Sequence, residues 1–527
     1  MRVSTLLAAA ASLATTVLAD VDPIVIKGSH FFYKTNGSEY FVQGVAYQYP
    51  AADLANADPL AVPAGCTRDI PHLLAVRTNL ISVYSVNPEL DHSACMTALA
   101  DAGIYVLLDL ANTTYSINRA DPAWSTSLYD HYTAVIDEFQ SYNNILGFVV
   151  GNEVANSANT STADAFVKAA VRDMKSYIAE KKYRAIPVGY AADDDADIRY
   201  QVAEYFDCGD ASSAIDFYGL NNYEWCGDSS FAGSGYQART SEFSSWNIPV
   251  FLSEYGCNTV EPRVFTEVQA IFGSDMTGVW SGGVVFEYFQ DTNNYGLVSL
   301  EGSSVSLMTD YTSYSAQMAK ITPSSTNSAS YKVTNTAAAA CPTTNSTWNV
   351  SPNLPPTPND QVCSCMASSV QCAASPSLSD EDVGKLLGVV CGLSASACSG
   401  ISADGATGVY GIYSPCDASA QLNYALNAYY LQQSSKGNGA SACAFSGSAT
   451  LQAATTAASC KSVLSSASSA AATATGGSSS GGSASSSTSK AAAAGGLVYH
   501  TIGVSNGFQA GLYMFVALTT GVLMIVL

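Results

Sequence analysis

The sequence predicts an α/β protein, a (β/α)8 TIM barrel followed by a small, disulfide-rich, mainly helical domain. Three observations lead there. Apolar, β-rich runs recur through the first 325 residues with helix-like segments between them. Two of those runs close on a glutamate, Glu153 and Glu254. Eight of the fourteen cysteines are crowded between residues 363 and 460. A strand buried on both faces should be apolar throughout, so a carboxylate at its C-terminal tip calls for a reason. In a barrel those tips converge on one mouth.

In chain order, residues 1–19 carry Arg2, an apolar run from Leu6 and the close Val17-Leu-Ala19. That is a secretory signal peptide cleaved after Ala19, too short for a comfortable membrane span. The barrel occupies 20–325. Its strands are expected at Phe41–Gln48, Asn79–Val86, Tyr105–Leu110, Ile145–Glu153, Ile186–Ala191, Asp216–Glu224, Val250–Gly256 and Gly283–Phe289. Helices such as Ser127–Tyr142 and Thr162–Lys181 fall between them. Strands alternating with helices over this length fit a closed barrel. A doubly wound open sheet is the alternative, but no Gly-rich loop follows the first strand.

Residues 326–358, rich in Thr, Ser, Asn and Pro, are expected to be a proline-stiffened linker. The Cys-dense domain spans 359–461. A Ser/Ala/Gly stalk covers 462–496, solvated and O-glycosylated because its composition cannot bury a core. The last segment, 497–527, ends in an apolar tail, Leu512–Leu527. Small residues, a polar spacer and an apolar tail in that order form the signal for a glycosylphosphatidylinositol (GPI) anchor, with attachment expected at Ala494. A retained tail helix is the alternative, but no positive charge follows it.

Composition excludes several roles. A formal charge of −22 argues against nucleic acid and anionic membrane surfaces as partners. Cysteines in a secreted chain imply disulfides rather than metal sites. Sequons at Asn36, Asn112, Asn159, Asn345 and Asn349 agree with a secretory route. No His-Glu-x-x-His, Walker loop or dinucleotide fingerprint is present, and the five histidines form no ligand cluster. Gly477-Ser-Ser479-Ser-Gly481 matches a nucleophile elbow by chance, inside the stalk. Asp193-Asp-Asp195 lacks calcium-loop spacing and is expected to be a solvated loop. No metal or organic cofactor is expected.

The chemistry centres on Glu153 and Glu254. Two carboxylates facing each other across a barrel mouth are what glycosidic bond cleavage requires, and retaining enzymes place them about 5–5.5 Å apart. Asn152 is suited to hold a sugar hydroxyl. Tyr84, Asp109, Tyr223, Tyr255 and Tyr288 lie at or beside other strand tips, where aromatic rings can stack on sugars or simply pack. Glu287 is a third carboxylate on the last strand, supporting or structural.

These residues resemble the fungal β-1,3-glucanosyltransferases of glycoside hydrolase family 72. The likeness rests on Gly44-Val-Ala-Tyr-Gln48, Val149-Val-Gly-Asn-Glu153, Gly219-Leu-Asn-Asn-Tyr-Glu-Trp-Cys226, Ser253-Glu254-Tyr-Gly-Cys257 and Ser281-Gly-Gly-Val-Val-Phe-Glu-Tyr288. It implies a retaining barrel enzyme with Glu153 as acid/base and Glu254 as nucleophile. It further implies glucan binding by Gln48, Tyr84, Asp109, Asn152, Tyr223 and Tyr288. The chain departs from the family at Phe286, where a tyrosine is usual, and at Tyr49, inserted into the first motif. The Cys-dense domain is similar to the X8 domain, carbohydrate-binding module family 43. That likeness implies Cys363–Cys416, Cys365–Cys460, Cys372–Cys443 and Cys391–Cys398; in the larger domain, Cys66–Cys95, Cys226–Cys257 and Cys208–Cys341 are expected.

The reaction so implied cleaves a β-1,3-glucan internally and transfers the new reducing end to the non-reducing end of another glucan. Only the resemblance favours transfer over a retaining endo-β-1,3-glucanase or an inactive glucan-binding wall protein. The expected partners are donor and acceptor glucan chains and, through the GPI lipid, the membrane. A monomer on the outer face of the plasma membrane or in the cell wall is expected.

Overall fold

A computed structural model describes residues 21–474, apart from 51, 54–56 and 456. The expected signal peptide, Ala494, the anchor signal and most of the stalk lie outside the described residues. Eight parallel strands close a barrel: β1 (Val42–Ala46), β2 (Leu80–Val83), β3 (Tyr105–Asp109), β4 (Ile145–Asn152), β5 (Val188–Asp193), β6 (Phe217–Asn221), β7 (Val250–Tyr255) and β8 (Trp280–Val285), with β8 pairing back onto β1. Seven lie within a few residues of their expected places. The eighth begins and ends earlier than expected. Around them run α1 (Pro63–Ala75), α2 (Ser93–Asp101), α3 (Thr126–Phe139), α4 (Asp164–Glu180), α5 (Arg199–Asp207), α6 (Tyr236–Phe243), α7 (Glu267–Ile271) and α8 (Thr309–Met318).

Two apolar layers result. The outer one, between strands and helices, holds Val45, Ile81, Val106, Phe148, Leu220 and Leu252. The inner one fills the barrel with Val42, Leu80, Leu107, Val149, Phe217, Phe251 and Val284. An antiparallel sheet of Ile24–Lys27, His30–Tyr33 and Glu39–Tyr40 precedes β1. It sends Ile24, Phe31 and Tyr40 into the inner cluster, plugging the N-terminal end of the barrel. The opposite end is left for the site.

Both strands that deliver a glutamate carry an extra residue. On β7, Leu252 and Tyr255 face Gly283 and Val285 of β8, three steps against two. On β4, Val149 and Asn152 face Gly189 and Ala191 of β5, again three against two. Such bulges re-aim the side chains that follow. Glu153 then sits just past β4 with a left-handed φ of 49°.

The second domain is built from α9 (Asp360–Ser369), α10 (Asp380–Leu393), α11 (Ala418–Ser435) and α12 (Ala458–Ala474) with two small antiparallel pairs. Its four disulfides are Cys363–Cys416, Cys365–Cys460, Cys372–Cys443 and Cys391–Cys398. The barrel region holds Cys66–Cys95, Cys208–Cys341 and Cys226–Cys257, so no cysteine is free. The helix α12 runs into the segment expected as a solvated stalk from residue 462, where its described side chains stay exposed or partly exposed. Alanine favours helix, and Leu464 packs on a cluster formed by Cys363, Met366 and Ala420.

Residues 326–358 also depart from expectation. They form no helix or strand of their own but run as a strap bound to the barrel. Lys27 Nζ donates to the Ser328 and Tyr331 carbonyls, Asn335 Nδ2 to those of Ser244 and Trp246, and Ala339 N to Asp207 Oδ2. Cys341 is bonded to Cys208. Trp348 is 0% exposed, its ring 5.4 Å from that of Tyr205. Arg172 then holds the Pro355 carbonyl, and Thr357 donates to Asp173. Polar composition alone cannot distinguish a tether from a segment whose backbone groups find partners along a surface.

One buried group works against stability. Asp164, the first residue of α4, is 0% exposed, and neither carboxyl oxygen has a hydrogen-bond partner among the described residues. Burial pushes its pKa well up. The folded protein holds this proton while the unfolded chain releases it near the ordinary carboxylate value, so stability falls as pH rises above about 4. Asp164→Asn should therefore raise the melting temperature at pH 7. The gain should be larger at pH 7 than at pH 4, where the unfolded chain also holds much of the proton. Calorimetry at both pH values checks this; an equal gain at both would refute it.

Candidate active site

At the C-terminal end of the barrel the inner layer changes from aliphatic to aromatic and acidic. Tyr84 follows β2, Tyr223 follows β6, and Phe286 and Tyr295 come from the segment after β8, with ring centres 5.3–6.4 Å apart. Within this group stands Glu254, 6% exposed. Tyr84 donates to its Oε1 at 3.0 Å and Tyr223 to its Oε2 at 2.7 Å. Burial raises the Glu254 pKa, the two hydroxyls oppose that rise, and the charges of Glu287 and Asp109 add to it. The tyrosines thus fix both oxygens and favour the ionised form, while burial keeps the carboxylate reactive.

Glu153 is arranged differently. Its Oε1 accepts from Asn221 Nδ2 at 2.7 Å, and the same nitrogen donates to Asn152 Oδ1 at 3.0 Å. Arg119 Nη2 donates to the Glu153 carbonyl at 2.7 Å, holding the strained backbone. Burial pushes the Glu153 pKa up, and the nearby Glu254 carboxylate pushes it further. Two carboxyls sharing one low-dielectric site do not both ionise easily. Glu153, lacking tyrosine donors, keeps the proton.

The other expected residues divide. Asp109 ends β3, is buried, and has its pKa pushed well up by burial. Its charge, when present, would act on both Tyr84 and Glu254. Gln48 follows β1; its Nε2 is held by the Ala57 carbonyl, and its Oε1 is buried without a hydrogen-bond partner among the described residues. Tyr288 is a correction. It is 0% exposed in the outer layer, where its hydroxyl donates to Asp69 of α1 at 3.1 Å. Tyr255 likewise faces outward, its hydroxyl 3.3 Å from that of Tyr314 on α8. Strands buried on both faces give no periodic signal to separate inside from outside. Asp193-Asp-Asp195 is not a solvated loop either: Asp194 accepts from Asn222 and pairs with Arg199. Among the described residues no acidic, His or Cys group is arranged to hold a metal.

Several contributors had no role assigned from sequence. Asn221 and Ser253 sit inside quoted motifs, yet only the fold shows that they meet. Tyr295 comes from a loop with no pattern. Glu287 is 8% exposed, accepts from Asn293 at 2.8 Å, and is pushed up to about 7 by burial. Behind them lies Arg263, 2% exposed, paired with Asp310 at 2.6 Å. It donates to the carbonyls of Gly256, Phe286 and Tyr295, tying together the segments that follow β7 and β8.

Of the exposed sequons, Asn36 and Asn345 each accept a hydrogen bond from their own sequon hydroxyl. Asn112 instead has its Nδ2 3.2 Å from His131 Nε2.

A family model described as Glucanosyltransferase matches residues 13–322, and one described as X8 domain matches residues 370–450. A 1,3-beta-glucanosyltransferase of Arthroderma benhamiae is 50% identical over 474 residues, covering 86% of this chain and 87% of that protein. The 1,3-beta-glucanosyltransferase gas1 of Schizosaccharomyces pombe is 46% identical over 462 residues, covering 86% and 83%. Among solved structures, a mutant of Saccharomyces cerevisiae Gas2p in complex with laminaritetraose and laminaripentaose is 36% identical, with a TM-score of 0.76 over 86% of this chain and 100% of that one.

Proposed function

The chain belongs to the glucanosyltransferase family, and from that premise we propose that it lengthens β-1,3-glucan by a retaining double displacement. One observation supports this most: the two carboxyls, Glu254 buried and Glu153 partly exposed, are treated unequally. Glu254 has a tyrosine hydroxyl on each oxygen and is set as the ionised nucleophile. Glu153, with its pKa raised by burial and by Glu254, is set as the acid.

In the first step a Glu254 oxygen bonds to the anomeric carbon as the glycosidic bond breaks. The Glu153 proton passes to the leaving oxygen, and the reducing-end fragment departs. In the second step Glu153, now ionised, takes the proton of an incoming 3-hydroxyl. That oxygen bonds to the anomeric carbon, and the ester to Glu254 breaks with its electron pair returning to the carboxylate. Two inversions give net retention. Asn152, Asp109 and the buried Gln48 Oε1 supply hydrogen-bonding groups for sugar hydroxyls. Tyr84, Tyr223, Phe286 and Tyr295 supply apolar faces.

The protein form spanning residues 20–496, incubated with a reduced-end β-1,3-gluco-oligosaccharide, should give products longer than the donor. Only shorter products would make it a hydrolase. Activity should also follow a bell-shaped pH profile. It is lost as falling pH protonates Glu254 and as rising pH removes the proton from Glu153. Because burial raises both groups, both limbs should lie above ordinary carboxylate values; a single-sided profile would count against the two-carboxyl mechanism.

The same reading includes a secreted monomer held on the outer face of the plasma membrane by a GPI anchor. The apolar signal at each end of the sequence and the full pairing of its cysteines support the secretory route and the anchor.

A further inference from the structure

We infer that Ser253 is a positioning residue which, by holding the Asn221 amide, readies Glu153 to act as the base of the second half-reaction. The inference rests on the double displacement proposed above. Ser253 Oγ donates to Asn221 Oδ1 at 2.7 Å. Asn221 is 3% exposed, and its Nδ2 is the group that meets Glu153 Oε1 and Asn152 Oδ1. The bulge in β7 makes this possible. It lets two consecutive residues serve the interior, so that Glu254 meets Tyr84 and Tyr223 while Ser253 reaches across to β6. Gly219 of β6 leaves the room, because a Cβ there would lie 2.5 Å from Ser253 Oγ.

The chemistry asks for such a device. In the first half-reaction Glu153 must hold a proton, and burial with the Glu254 charge ensures it. Once Glu254 is esterified that charge is gone, and Glu153 must accept the proton of the acceptor hydroxyl as the ester breaks. A donor aimed at its oxygen favours the carboxylate. The charged groups facing Glu153 are Glu254 and Asp193, which disfavour its ionisation, and Arg119, which favours it; Asn221 is the neutral donor. Without the Ser253 hydroxyl, Asn221 Oδ1 becomes a buried acceptor with no partner, a state costly enough to turn the amide away.

Ser253→Ala should move the alkaline limb of kcat/KM upward by roughly half to one pH unit. It should also slow turnover about tenfold with donor KM falling alongside kcat, so that the glycosyl-enzyme persists in intact-mass spectra. Ser253→Thr, which keeps the hydroxyl, should restore the limb. Asn221→Ala should shift the limb by itself, and adding Ser253→Ala to it should shift it no further. An unmoved limb in Ser253→Ala, or an equal second shift in the Asn221→Ala background, would overturn the inference. Should Ser253→Ala not fold, an unmoved limb in Asn221→Ala overturns it equally. Water can replace the acceptor, so the limb is readable in hydrolysis too. A wild-type enzyme giving only shorter products would sink the transferase reading without deciding this one.

Discussion

Glu254→Gln should lower turnover by roughly five to six orders of magnitude, the scale seen when a nucleophile acting within a catalytic unit is removed. The substitution is nearly isosteric and leaves an oxygen for a tyrosine hydroxyl, so binding should survive while no glycosyl-enzyme forms. The protein should also melt higher, because burial opposes the carboxylate that glutamine replaces. Glu153→Gln should cost less, about two to four orders of magnitude on natural glucan. With a glucosyl donor whose leaving group needs no proton, its first step should recover and the ester should accumulate. Intact-mass spectrometry and product sizing on the two variants separate the roles. Ester accumulation in Glu254→Gln, or none in Glu153→Gln with the activated donor, would reverse or remove the assignment.

Arg263→Met should destabilise the fold by about 3–5 kcal/mol, the cost of breaking a buried ion pair by removing one partner. It strands Asp310 and leaves the carbonyls of Gly256, Phe286 and Tyr295 without their donor. Those carbonyls follow the strand that carries Glu254 and flank Glu287, so activity should fall even where the variant is folded. Arg263→Lys should recover little, since one ammonium cannot span a planar fork of contacts. Asp310→Asn in the Arg263→Met background should restore part of the loss, because the uncompensated charge is then gone. Thermal unfolding of the four proteins decides it. A melting temperature unchanged in Arg263→Met would show that the hub is dispensable.

Barrel strands were legible because burial on both faces makes each a short apolar run. The last was displaced for the same reason. Val284-Val-Phe-Glu-Tyr-Phe289 continues the apolar pattern beyond the strand, where those side chains pack as a loop. Meanwhile Ser281-Gly-Gly283 resembles a turn although both glycines lie in β8: Gly282 has φ 95°, and a Cβ there would meet the Val42 carbonyl at 2.3 Å. Glu153 and Glu254 stood out because charge at a strand tip is anomalous. Tyr84 and Tyr223 were marked by their places at strand tips, but Asn221 and Ser253 were not, because their pairing depends on a bulge, and an extra residue leaves no mark in an already continuous apolar run. Tyr255 and Tyr288 show the other limit. Composition marks a strand-end tyrosine, but only the closed sheet decides which layer receives its hydroxyl.

The strap has a consequence for how the molecule can be divided. Its disulfide and buried tryptophan belong to the barrel surface, yet it ends in the second domain, where Thr126 N donates to the Pro415 carbonyl and the Phe166 and Tyr410 rings meet edge to face. A cut at residue 325, where composition invites one, would strip a partner from Cys208 and uncover Tyr205. A shortened barrel must therefore carry the strap at least through Trp348 to keep that thiol paired and that ring covered.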